Sequence, residues 1–162
     1  MAIIYCVEDD DSIREMILCA LKTGGYEGTG FEKSKLMYNA LEDCIPDLIL
    51  LDIMLPDEDG ISTLKKLKHN NEYKDIPVIL ITAKGNESDK VMGLDAGAED
   101  YIVKPFGILE FLSRIRTALR RTMPNKRMDI LTDGELRIET GRRAVSYNNM
   151  PVTLTHKEFE LL

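Results

Sequence analysis

An open, doubly wound α/β sheet is the fold this sequence predicts, and three observations carry it. Short apolar runs rich in β-branched residues alternate with segments of helical periodicity, the mark of βα units around a parallel sheet. Two runs, Leu48-Ile49-Leu50-Leu51 and Val78-Ile79-Leu80-Ile81, are apolar without interruption, as strands covered on both faces are. Polar residues follow the runs at once, and in such a sheet those positions converge on the ligand-binding edge.

In chain order, strands are expected at Ile3–Val7, Asp47–Leu51, Pro77–Ile81 and Tyr101–Val103. A further strand near Tyr26–Phe31 carries Gly28 and Gly30, which suits an edge position. The first helix is signalled by Ser12 and Glu15 as a capping box, by Ile13, Met16, Ile17, Ala20 and Leu21 on one face, and by Gly24-Gly25 as a stop. Apolar residues at three- and four-residue spacing predict helices over Ser34–Asp43, Ile61–His69, Ser88–Ala96 and Ile108–Arg121.

The pattern changes after Arg121. Residues 1–121 form one predicted domain, the polar, proline-containing stretch 122–127 reads as a linker, and 128–162 as the start of a second, β-rich domain. Strand-like stretches fall at Glu135–Glu139, Arg143–Tyr147 and Pro151–Leu154, punctuated by Gly134, Gly141 and Asn148-Asn149, so hairpins are expected. A last helix begins near Thr155, with Glu158 three residues on.

The formal net charge of −7 excludes a generally basic surface for gripping nucleic acid. Residues 1–121 hold the whole acidic excess, with 15 Lys and Arg against 22 Asp and Glu, while residues 122–162 carry six of each. Cys6, Cys19 and Cys44 lie in apolar periodic segments at no metal-ligand spacing and read as buried free thiols of a reducing compartment. The start MAIIYCVEDD reaches acidic residues too soon for a signal peptide or a membrane span, so a soluble, cytoplasmic protein is expected.

Glu8 and Asp9 follow the first strand, Asp52 the third, Thr82 the fourth and Lys104 the fifth. Singly, these residues fit a solvated helix entry, a turn, a strand end and loop punctuation. Together at successive strand ends they define one crevice. Three carboxylates there cannot be neutralised by Lys104 alone, and a hard divalent cation, Mg²⁺, suits an open all-oxygen site. A carboxylate oxygen of Asp52, faced by metal and ammonium, is then a nucleophile toward phosphorus, with Thr82 able to donate to a phosphoryl oxygen.

The segments V-E-D-D, L-L-D-I-M-L-P-D-E-D-G, I-T-A and D-Y-I-V-K-P-F resemble the receiver domain of two-component response regulators over about residues 2–121. The resemblance implies a flavodoxin-like sheet of order 2-1-3-4-5, with Glu8 and Asp9 as the acidic pair. It implies Asp52 as phosphoacceptor for a cognate sensor histidine kinase, and Mg²⁺ held by Asp9, Asp52 and the Met54 backbone carbonyl. Thr82 and Lys104 would contact the phosphoryl group, Tyr101 would reorient with Thr82, and Lys104-Pro105 would be cis. Met54 and Lys84 would flank the path of water in slow self-dephosphorylation.

Lys90, Glu99, Asp100, Glu110, Arg114 and Arg121 stand where the winged-helix subfamily similar to the phosphate and osmoregulation regulators makes dimer salt bridges on phosphorylation. The pairs implied are Lys90 with Glu110, Asp100 with Arg114 and Glu99 with Arg121, around apolar Val91 and Leu94; Ser113 replaces that subfamily's usual alanine. The tail, through G-E-L-R-I and V-T-L-T-H-K-E-F-E-L-L, resembles the start of the DNA-binding winged helix. Its recognition helix would lie beyond Leu162, so DNA binding is expected only of a longer chain. Two other functions compete. A receiver acting as a phosphorelay or protein-docking module without DNA lacks a use for the tail. A Mg²⁺-dependent phosphatase would want an acid two residues after Asp52, where Met54 stands.

Overall fold

The computed structural model describes residues 1–83, 85–122, 130–139 and 144–153. Met1–Thr122 and Met123–Leu162 form two compact units.

The first unit alternates five strands and five helices: β1 (Ile3–Val7), α1 (Asp11–Thr23), β2 (Glu27–Phe31), α2 (Ser34–Asp43), β3 (Leu48–Asp52), α3 (Gly60–His69), β4 (Val78–Thr82), α4 (Glu87–Asp95), β5 (Asp100–Val103) and α5 (Ile108–Thr122). The strands are parallel in the order β2-β1-β3-β4-β5. β2 is therefore an edge, as its glycines predict. They have a second use there, because a methyl on Gly28 would strike Leu18 and one on Gly30 would strike Arg14.

Successive strand residues point to opposite faces, and the core divides accordingly. Ile4, Cys6, Leu48, Leu50, Ile79, Ile81 and Ile102 meet Ile17 and Leu21 of α1 and Phe111 and Ile115 of α5. Tyr5, Val7, Ile49, Leu51, Val78, Leu80 and Tyr101 meet Met37 and Leu41 of α2 and Ile61, Leu64 and Leu67 of α3. α4 is different. Its buried residue is Gly93, while Val91, Met92 and Leu94 are exposed.

Two details depart from the sequence reading. α1 is capped by Asp10, whose carboxylate accepts the Ile13 N–H at 3.0 Å, so Ser12 lies inside the first turn and the Ser12–Glu15 capping box does not form. Of the cysteines, Cys6 is buried but Cys19 and Cys44 are exposed. Cys19 falls off the Ile13-Ile17-Ala20-Leu21 stripe, and Cys44 ends α2. Burial, reinforced by Glu8, pushes the Cys6 thiol up to about 12. At mildly alkaline pH a disulfide thiol reagent is expected to modify two thiols of the native chain rapidly and the third only on unfolding. Three fast thiols would contradict this packing.

The second unit holds an antiparallel sheet in the order β6 (Ile130–Asp133), β7 (Leu136–Glu139), β8 (Ala144–Tyr147), β9 (Met150–Val152). β6 is an addition to the strands legible in the sequence. Asn148 and Asn149, at φ 51° and 61°, turn β8 into β9, as the two-residue hairpin signal predicts. The helix expected from Thr155 lies outside the described residues. Among the described residues no helix is long and apolar enough to cross a membrane.

Candidate phosphoacceptor site

Four of the five strands, β1, β3, β4 and β5, bring side chains to the carboxyl edge of the sheet. Asp52 and Thr82 are the last residues of β3 and β4, one position earlier in the structure than a reading that places them just after the strands. Glu8 continues β1, its N–H donating to the Phe31 carbonyl at 2.9 Å, and Lys104 continues β5, donating likewise to Thr82. Backbone bonds thus carry Glu8 and Lys104 one residue past their strands, and their side chains gather with that of Asp52. The Lys104-Pro105 bond is cis, as the resemblance implies.

Lys104 Nζ donates to Glu8 Oε2 at 2.5 Å and to Asp52 Oδ2 at 2.9 Å. The second oxygens are engaged too: Glu8 Oε1 accepts the Asp10 N–H, and Asp52 Oδ1 accepts the Met54 N–H at 3.0 Å. Glu8 and Asp52 are buried, at 2% and 5% exposure, whereas Asp9 is open to solvent. Burial acts against the Lys104 charge, but its bonds to Glu8 and Asp52 outweigh that and hold the ammonium above its ordinary range. Burial raises the Glu8 carboxyl; the Lys104 bond opposes this and Asp52 adds to it.

Carboxylate oxygens of Glu8, Asp9 and Asp52 all lie within 4.8 Å of one another. At an effective dielectric constant of about 20, each ionised pair at such a distance repels by about 3 kcal/mol. Lys104 is the one cation bonded to the cluster among the described residues, so with all three carboxylates ionised a net negative charge remains and the cluster attracts a further cation. Its donors are all hard oxygens and Asp9 faces water, a set that fits Mg²⁺ with part of its hydration retained.

Thr82 is fully buried and hydrogen-bonded to Tyr101, whose ring is 2% exposed. Burial, with a contribution from Asp89, raises the Tyr101 phenol, and the Thr82 bond opposes it.

Of the other residues singled out in the sequence, Met54, Lys90, Val91, Leu94, Glu110 and Arg121 are exposed, and Glu99, Asp100 and Arg114 are partly so. Arg114 bonds both Asp100 oxygens at 3.0 Å and Glu110 at 3.1 Å within this one chain. The Asp100–Arg114 pairing legible in the sequence therefore exists without a second copy. Lys84 lies outside the described residues.

Sequence reading missed two supports of the site. Arg14 donates to the Glu8 carbonyl at 2.7 Å and bonds Asp11, so α1 pins the loop bearing the acidic pair. Gly60 packs so tightly on the end of β3 that a methyl would lie 2.2 Å from the Asp52 carbonyl oxygen, well inside van der Waals contact. The D-G step at Asp59-Gly60 is the sequence signal that could have pointed to such an approach.

The response regulator receiver domain family matches residues 4–116. The phosphate regulon transcriptional regulatory protein PhoB of Pseudomonas aeruginosa is 40% identical over 159 residues, spanning 98% of this chain and 69% of PhoB. The DNA-binding dual master transcriptional regulator RpaA of Synechocystis is 37% identical across 98% of this chain and 68% of its own. Among solved structures, a putative response regulator from Chloroflexus aurantiacus superposes with a TM-score of 0.71 at 32% identity, covering 74% of this chain and 98% of that one. The BeF3-activated receiver domain of Klebsiella pneumoniae RstA gives 0.66 at 29%, covering 73% and 98%.

Proposed function

The chain belongs to the response regulator receiver domain family, and on that premise we propose that it is a phosphorylation-controlled transcription regulator whose Asp52 accepts a phosphoryl group from a histidine kinase. The observation that carries the reading is the convergence of Glu8, Asp9, Asp52 and Lys104 at one sheet edge. Asp9, Asp52 and the Met54 carbonyl would hold Mg²⁺, which when bound supplies charge neutralisation for the transferring phosphoryl oxygens.

An Asp52 oxygen attacks phosphorus, a P–O bond forms, and the P–N bond of the phosphohistidine breaks with its electron pair leaving on the imidazole. Lys104 already lies against Asp52 and is placed to follow charge onto the phosphoryl group. Thr82 donates to a phosphoryl oxygen, and Tyr101, bonded to Thr82, follows it. The acyl phosphate is lost slowly to water past exposed Met54.

Proton and metal compete for this pocket. The folded-state pKa of Glu8 is raised, so folding favours its protonated form, and ionising it as pH rises through the carboxylate range costs the metal-free fold some stability. Metal binding needs the ionised pocket. Labelling by acetyl phosphate, read as intact mass, is therefore expected to require Mg²⁺, and the melting-temperature gain from Mg²⁺ is expected to be larger near neutral pH than near the carboxylate range. Equal labelling in chelator contradicts the proposal.

Phosphorylation is proposed to pair two copies through α4, β5 and α5. Val91 and Leu94, about half exposed, form the apolar part, with the Lys90–Glu110, Asp100–Arg114 and Glu99–Arg121 charges around them. Exposed ion pairs contribute only about 0–1 kcal/mol each, so they set register more than affinity. Light scattering with a phosphate mimic is expected to show a dimer; a monomer throughout contradicts it. The β6–β9 sheet supports reading the tail as the start of a winged-helix DNA-binding domain, as in the transcriptional relatives.

A further inference from the structure

The N-terminus of α2 has a cap that its own sequence does not supply. Lys33 stands at the cap position and makes no side-chain cap bond. Instead Asp57, 22 residues beyond Lys35, accepts the Lys35 N–H at 3.1 Å and the Ser34 N–H at 3.3 Å, one on each carboxylate oxygen. The next residue continues the attachment. Glu58 Oε2 accepts from the Tyr38 hydroxyl of α2 at 3.3 Å and from the Thr63 hydroxyl of α3 at 3.1 Å, and its other oxygen pairs with Lys66. Fully buried Ser34 and Thr63 close the network, oxygen to oxygen, at 3.0 Å.

This network hangs on the segment between Asp52 and α3, residues 53–59. The segment is closed at its base by the Gly60 N–H on the Ile53 carbonyl at 2.8 Å and begins with the Met54 N–H on Asp52. It is anchored at its far end by Asp57 and Glu58, while Met54, between the base and those anchors, is exposed. Ile53 and Leu55, on either side of Met54, pack partly against the core, and Asp57 and Glu58 fix the end of the loop, so these attachments together set where the Met54 carbonyl sits.

We propose that Asp57 and Glu58 clamp the 53–59 loop onto α2 and so position the Met54 carbonyl as a metal ligand, which makes metal binding and order at the start of α2 mutually dependent. This rests on reading the acidic pocket as a Mg²⁺ site. Asp57 and Glu58 touch neither metal nor phosphoryl group; they are positioning residues. Groups that orient ligands from outside the coordination shell commonly change metal affinity by about 10–100-fold when removed. By linkage, whatever the clamp adds to metal affinity the metal returns to the clamp. Burial is the largest single influence on Asp57 and opposes its ionisation, but the backbone N–H groups of Lys35, Ser34, Asp57 and Glu58 together outweigh it and hold the carboxyl below the ordinary range, consistent with a working cap.

The test is a Mg²⁺ titration of the whole chain and two variants, followed by backbone amide NMR at a temperature where all are folded. Asp57→Ala is expected to bind Mg²⁺ about tenfold more weakly. Asp57→Asn loses the same charge but keeps an acceptor oxygen for the α2 amides, and is expected to recover most of the affinity. In the wild type, Mg²⁺ is expected to slow hydrogen exchange at the Ser34 and Lys35 amides, a readout available even if Asp57→Ala does not fold. Equal affinity in all three proteins, equal weakening in Asn and Ala, or unchanged exchange at Ser34 and Lys35 with Mg²⁺ bound overturns the clamp alone. A wild type that binds no Mg²⁺ overturns the pocket reading and the clamp with it.

Discussion

Asp52→Asn is expected to abolish labelling by acetyl phosphate and Mg²⁺ while the fold survives. The amide is nearly isosteric and its oxygen can still accept from Met54 N–H or Lys104, so β3 and the loop beyond it keep their contacts. It is not a nucleophile toward phosphorus at neutral pH. Asparagine relieves the repulsion by Glu8 and Asp9 but also removes the ion pair with Lys104, which keeps Glu8 as its partner, so the two effects oppose and the metal-free variant should melt close to the wild type. Its melting temperature should also respond less to Mg²⁺. Labelling retained at wild-type level, or a large loss of stability in Mg²⁺-free buffer, would contradict the role given to Asp52.

The second large effect is structural. Gly60→Ala places a methyl 2.6 Å from the Ile53 Cα and closer still to the Asp52 carbonyl. Alanine is the better helix former by about 1 kcal/mol in a helix interior and by less at Gly60, the first residue of α3, so propensity favours the substitution only weakly. The clash is with backbone of β3 and the residue after it, which cannot rotate away as a side chain can, and overpacking of this kind costs about 1–3 kcal/mol or more. The clash wins, so urea unfolding is expected to show a net loss of about 2 kcal/mol. Because α3 must move off Asp52, labelling should fall as well, in contrast to Asp52→Asn, which loses labelling without stability. A variant as stable as wild type would mean that α3 does not press on β3.

Strand-level features were the most legible. Uninterrupted apolar runs at β3 and β4 announced a sheet covered on both faces, and polar residues at the strand ends announced the site, because a parallel sheet brings those ends together. What sequence could not show is where two nearby residues compete or where distant ones meet. Asp10 and Ser12 are both cap formers, and geometry chose the first. Asp57 reads as a turn residue in L-P-D-E-D-G, and nothing at Ser34 or Lys35 announces that it caps them. Nothing in the sequence around Arg14 announces that it holds the Glu8 carbonyl. The Asp100–Arg114 pair was legible as a pair, but its presence inside one chain was not. β6 escaped because Ile130–Asp133 lacks the alternation of a half-buried strand.

The identity of the phosphorylated atom is the most direct test. Acyl phosphates are reduced by borohydride, which converts a phosphorylated aspartate to homoserine and marks the residue covalently. After treatment with acetyl phosphate and Mg²⁺, peptide mapping is expected to find homoserine at position 52 and nowhere else, and none in chelator. Homoserine at Asp9, Asp57 or Asp59, or its absence from a chain that has gained a phosphoryl group, would contradict the account.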